Sequence, residues 1–169
     1  RGDEFADAVA GGMLTYGPIL LVPRCGALPR AVGTEIARLD PDEVVALGGP
    51  KAVCNATLRA AASGRNTDRI AGENRYDTAA EISDRVYSFQ GDAEAVYVAN
   101  GTSYADAVAG GSLTDGPVLL VRPDGSFPNA VRIALSNIAA PVAVGLGGSR
   151  VISDDTVEDL PYSQRQDRL

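Results

Sequence analysis

The stretch FADAVAGGMLTYGPILLV at residues 5–22 returns as YADAVAGGSLTDGPVLLV at 104–121, with fourteen of eighteen positions identical. A chain of 169 residues that repeats itself at an offset of 99 builds one structural unit more than once. The offset reaches further. LGGP at 47–50 falls on LGGS at 146–149, and residues 5–58 align with 104–157 without a gap, 23 of 54 being identical. DRI at 68–70 reappears as DRL at 167–169. In this frame residues 1–66 are a truncated first repeat, 67–160 a complete second one, and 161–169 the start of a third.

Within the complete repeat, EAVYVA at 94–99 reads as a buried strand, NGTS as a turn and YADAVAGGSLT as a helix. Ser103 is placed to cap that helix, with Asp106 three positions on. PVLLV at 117–121 is a second strand, as is its counterpart ILLV in the first copy. A helix over 128–138 follows, then a strand running into the glycine turn at 142–148, then an N-capped helix over 153–160. Ahead of them lie a short strand at Arg69–Ala71 and a helix from about Arg75 to Ser88. Continuously apolar strands alternating with helices predict an α/β fold, a parallel sheet between two helical layers. Gly11, Gly12, Gly110 and Gly111 interrupt helices in both copies, which points to close packing.

Composition then removes several functions. The net charge of −7 argues against nucleic-acid binding. There is no histidine, the commonest general base and neutral metal ligand, and two cysteines alone make no zinc site. Apolar runs such as GPILLV are too short to cross a bilayer. No catalytic residue, cofactor or metal is expected.

The remaining polar candidates are few. Gly48-Gly49 and Gly147-Gly148 are tight turns, or backbone cradles for an anion. Asp7 and Asp106 sit in first helical turns, where a cap is the simplest role. Ser103 faces Glu4 in the other copy and so is no repeated nucleophile. Arg69, Arg75 and Tyr76 in RIAGENRY can clamp a carboxylate or phosphate, or form structural ion pairs, and Arg168 repeats Arg69. RGD at 1–3 aligns with NGT at 100–102 and reads as an ordinary turn.

Together, RIAGENRYDTAAEIS, VYVANGTSYADAVAGGSLTDGPVLLV and VGLGGSRVISDDTVEDL resemble the bacterial cell-wall-binding repeat of type 2. Arg69, Gly72, Arg75, Tyr76, Thr78 and Ala79 fill its first motif, Asp106 and Ala107 its second, and Gly147 and Gly148 its last. The resemblance implies Rossmann-like or Toprim-like units in secreted surface proteins of Gram-positive bacteria. It also implies a non-catalytic module that anchors them to an anionic wall polysaccharide or teichoic-acid-like polymer. The arginines and Tyr76 are then the expected polymer contacts. An enzyme on a Rossmann-like sheet, a hydrolase or nucleotide-using protein, is one alternative, and a purely structural surface-layer or adhesion segment is another.

Two further expectations follow. Cys25 and Cys54 lie in loops beyond matched strands, and the other copy has Asp124 and Ser153 there. Paired presence and paired absence, with an oxidising wall location, predict a disulfide. The first copy lacks a counterpart of residues 75–99, so its sheet edge and one apolar face are left open, and an oligomer or strand exchange would cover them.

Overall fold

The computed structural model describes residues 6–87, 93–158 and Leu160. The chain opens with α1 (Ala6–Val9), continued by a 3₁₀ turn at Ala10–Met13. Then come α2 (Arg30–Leu39), β1 (Glu43–Leu47), α3 (Asn55–Ala62) and β2 (Asn66–Ile70). The second half runs α4 (Arg75–Val86), β3 (Ala95–Asn100), α5 (Tyr104–Gly110), β4 (Val118–Val121), α6 (Asn129–Ile138), β5 (Val142–Leu146) and α7 (Asp154–Glu158).

β4, β3 and β5 form a parallel sheet in that order, with Tyr97 opposite Val118 on one side and Val144 on the other. The crossovers β3–α5–β4 and β4–α6–β5 step across the sheet in opposite senses. Right-handed connections therefore place α5 and α6 on opposite faces. α4 packs on α6 and β4, which completes three layers. This is why every position of β3 is buried, and why AVYVAN shows no polar alternation.

The described residues of the first half match part of this plan at an offset of 99. α2 and α6 start at residues 30 and 129, and β1 and β5 at 43 and 142. The left-handed residues Asp40 and Ala139 end the two helices at matched positions. β1 pairs in parallel with β2, from Glu43 opposite Asn66 to Leu47 opposite Ile70. However, the expected ILLV strand is not formed, because among the described residues 18–22 has no neighbour with which to form a ladder. The consequence is read in burial. Val118, Leu120 and Ile138 are 1%, 2% and 1% exposed, whereas Ile19, Leu21 and Leu39 are 39%, 44% and 37% exposed.

Smaller differences have local causes. The seam strand spans Asn66–Ile70, not Arg69–Ala71, because its register follows β1. α4 starts at Arg75 as expected and ends at Val86, and Ser88 lies outside the described residues. Ser103 stands at the N-cap of α5 with no side-chain cap bond. Ser153 does cap α7, its hydroxyl accepting from the Thr156 amide at 3.2 Å. A Cβ on Gly12 would stand 2.6 Å from Cα of Gly111, so these matched helix glycines let the two copies touch.

The disulfide forms, Cys25 to Cys54, with Cα atoms 5.5 Å apart. It ties the loop ahead of α2 to the start of α3. A backbone bond from Cys54 N–H to the Arg24 carbonyl, 2.8 Å, runs beside it.

Candidate functional site

The segment Asp68–Asp77 joins the two copies, and most of its side chains are fixed on one or the other. The guanidinium of Arg69 turns back to the loop after β1. It donates to the Gly48 carbonyl, to the Val53 carbonyl at 2.8 Å and to Oδ1 of Asn55 at 3.2 Å. Burial pulls its pKa below the ordinary arginine value, although arginine remains charged. These partners are neutral oxygens, not the expected carboxylate. Asp68 instead accepts the Arg69 backbone N–H and pairs with Arg85, each at 2.7 Å. These two donors, the backbone one first, hold its carboxyl below the usual range.

The glycine in RIAGENRY packs against the start of α4. Gly72 N–H donates to Oγ1 of Thr78 at 3.1 Å, and a Cβ on Gly72 would run into Asp77 and the Thr78 amide. Asn74 caps α4 by accepting from the amides of Tyr76 and Asp77 at 2.9 and 3.2 Å. It donates in return to Asp77 at 2.8 Å. With the helix start fixed, Arg75 donates to the Gly101 carbonyl at 2.8 Å, and the ring of Tyr76 covers Gly101. The seam therefore grips the turn after β1 with Arg69 and the turn after β3 with Arg75 and Tyr76. All three side chains are half-buried. Arg168 lies outside the described residues.

Gly48 and Gly147 adopt the left-handed conformation, with φ of 95° and 110°. A Cβ on Gly48 would strike the Asp7 carboxylate, and one on Gly147 would stand 2.8 Å from Oδ2 of Asp106. The turns thus receive carboxylates of the chain itself, and a second anion from that side would meet like charge. Gly49 and Gly148 face open space. Among the described residues no group of three or more Cys, Asp or Glu could hold a metal ion. No helix there is long and apolar enough to cross a membrane.

Two cations were missed by sequence reasoning. Lys51 and Arg150 follow the two glycine turns 99 positions apart, and both are exposed. The offset was the available signal, since it pairs cation with cation. Asn100 was missed too. This buried side chain donates to the Val151 carbonyl at 3.1 Å and accepts from the Thr102 amide at 2.9 Å, which braces the turns after β3 and β5 together.

The cell wall binding domain 2 family matches residues 69–158, more than half of the chain. The chain belongs to this cell wall binding domain family. It is also 30% identical, over 97% of its length, to the N-acetylmuramoyl-L-alanine amidase LytC of Bacillus subtilis (strain 168), of which it spans 33%. Its fold is that of Cwp6 from Clostridium difficile, with a TM-score of 0.83 and 27% identity over 95% of this chain and 26% of that one. Cwp8 from Clostridium difficile shares the fold with a TM-score of 0.74 at 19% identity, covering 94% of this chain and 28% of that one. The module is accordingly a cell wall or cell surface component, an α/β binding domain with a wall partner.

Proposed function

We propose that the chain is a non-catalytic anchor that holds a secreted surface protein on an anionic wall glycopolymer. Family membership over residues 69–158 is the observation that carries this reading. The polymer lies over the turns at the carboxyl ends of the strands, against the half-buried Arg69, Arg75 and Tyr76 and the exposed Lys51 and Arg150. Arg69 and Arg75 shape these turns through the Gly48 and Gly101 carbonyls. The tyrosine ring offers an apolar face to a sugar. With a net charge of −7 the chain has no global attraction for a polyanion, so binding comes from local cations. Several weak contacts along a repeating polymer gain by multivalency.

Co-sedimentation with purified Gram-positive walls tests the reading. The chain is expected to pellet with intact walls, less so as salt screens exposed charges, and to stay in solution with walls stripped of anionic polymer. The double substitution of Lys51 and Arg150 to Ala is expected to weaken binding without moving the melting temperature. Equal binding to stripped walls, or release of soluble wall fragments, would contradict an anionic-polymer anchor.

A further inference from the structure

The two sulfurs of the Cys25–Cys54 bridge have unlike surroundings. Cys25 lies in the exposed loop ahead of α2, whereas Cys54 is half-buried at the N-cap of α3. Exposure of this loop belongs to the fold, since Asp124, which takes the place of Cys25 in the complete repeat, is exposed as well. Around Cys54 the chain favours negative charge. The guanidinium of Arg69 donates to the residues on either side of it, to the Val53 carbonyl at 2.8 Å and to Oδ1 of Asn55 at 3.2 Å. From residue 44 to 67 the chain carries Lys51, Arg59 and Arg65 and no acidic residue. The carboxylate of Asp7 reaches this turn at Gly48, where Arg69 also donates. Sγ of Cys54 stands 3.4 Å from Oγ1 of the fully buried Thr57. The second repeat shows what an unbridged side chain finds in this place. Oγ of Ser153 accepts the Thr156 amide at 3.2 Å and lies 2.8 Å from Oγ1 of Thr156.

We propose that the bridge is a thiol-exchange site: a low-molecular-weight thiol attacks Sγ of Cys25 and becomes bonded to it, and Cys54 leaves as a thiolate. One S–S bond forms as the Cys25–Cys54 bond breaks, and the electron pair of the broken bond goes to Sγ of Cys54. No oxidant or reductant other than the thiol takes part. In such an exchange the accessible sulfur is attacked and the better stabilised one departs. A helix N-terminus and a neighbouring cation stabilise a thiolate, and Cys54 has both. Thr57 is a positioning residue. Its hydroxyl proton is shared between the Arg24 carbonyl and Sγ of Cys54, each at 3.4 Å, and turns to the sulfur as charge develops there. The bond from Cys54 N–H to the Arg24 carbonyl, 2.8 Å, keeps the two sulfurs close, so the step reverses when the thiol is withdrawn. The fold is retained in the mixed disulfide, as it is in the second repeat with Asp124 and Ser153 unbridged. The proposal does not rest on the wall-binding reading.

The probe is glutathione, added to the folded, oxidised chain and quenched in acid with a thiol-blocking maleimide. Trypsin then releases the two cysteines in separate peptides, CGALPR at 25–30 and AVCNATLR at 52–59. Glutathione is expected on CGALPR and the maleimide on AVCNATLR, in at least about tenfold excess over the reverse pair, with the near-native melting curve kept. In urea the two arrangements should become equal. Thr57→Val keeps the shape of the side chain and is expected to exchange at least about threefold more slowly, with the rate restored by Thr57→Ser. Should Thr57→Val fail to fold, the adduct positions in the natural chain decide alone. Adducts divided equally, adducts mainly on Cys54, or exchange seen only in urea would overturn the proposal, as would a folded Thr57→Val that exchanges at the natural rate.

Discussion

α2 and α6 occupy matching positions at the 99-residue offset, yet α6 buries Val131, Ala134, Leu135 and Ile138 while α2 buries Ile36 alone. The sequences account for only part of this: Glu35 stands where α6 has the buried Ala134, but Val32, Ile36 and Leu39 lie on α2 at the matching spacing. What differs is the layer beneath. α6 lies over a sheet with β3 in its centre, whereas α2 lies over a groove. An apolar stripe becomes a core only when something is there to receive it. In its place the first copy carries two covalent or ionic ties of its own, the Cys25–Cys54 disulfide and an Arg65–Asp40 ion pair at 2.8 Å.

The largest effect should come from deleting the same side chain in each copy. Leu120→Ala removes a fully packed residue and is expected to cost about 2–5 kcal/mol in urea unfolding. Leu21→Ala, its counterpart, is expected to cost less than about 1 kcal/mol. Equal costs would mean that the two copies are packed alike. Next, the double variant Cys25→Asp with Cys54→Ser gives the first copy the residues of the second. The bridge closes a loop of 29 residues, so its loss is expected to cost about 3.6 kcal/mol by loop entropy. The added opening should be confined to α2, β1 and α3 in exchange measurements.

The contact between copies gives a smaller effect. Gly12→Ala forces a methyl group against the Gly111 backbone and is expected to cost about 1–3 kcal/mol. Gly49→Ala, in open space, should change stability by less than about 0.5 kcal/mol. The last effect concerns Tyr97 on β3. Burial first, then its bond to Asp115 at 2.8 Å, raises the phenol to about 12. The folded state holds this proton more tightly than the unfolded chain does. Its stabilising contribution is therefore complete below about pH 10 and lost as pH rises towards 12, on the order of 1 kcal/mol per pH unit. Tyr97→Phe should flatten that alkaline loss in thermal melts.

Much of this fold could be read from residues. The local pattern located α6 and the start of β5 almost to the residue, since AVRIALSNI and VAVGL carry their own periodicity and turn signals. The cysteine pair followed from joint presence in one copy and joint absence in the other. The missing ILLV strand could not be read locally, because the segment has full strand propensity and a strand exists only with a partner. In the candidate site, the position of Arg69 and Arg75 at the seam was legible, but their acceptors were not. Backbone carbonyls of Gly48, Val53 and Gly101 leave no mark in a side-chain pattern. For the same reason Asp7 and Asp106 read as caps when they pack under the turns of Gly48 and Gly147.

Native-state amide exchange of α2 against α6, residue by residue at the 99-residue offset, tests most directly the claim that α6 is packed on a sheet and α2 is not. The account predicts that α6 exchanges only through global unfolding, while α2 exchanges through local opening at least about tenfold faster. Equal protection of the two helices would contradict it.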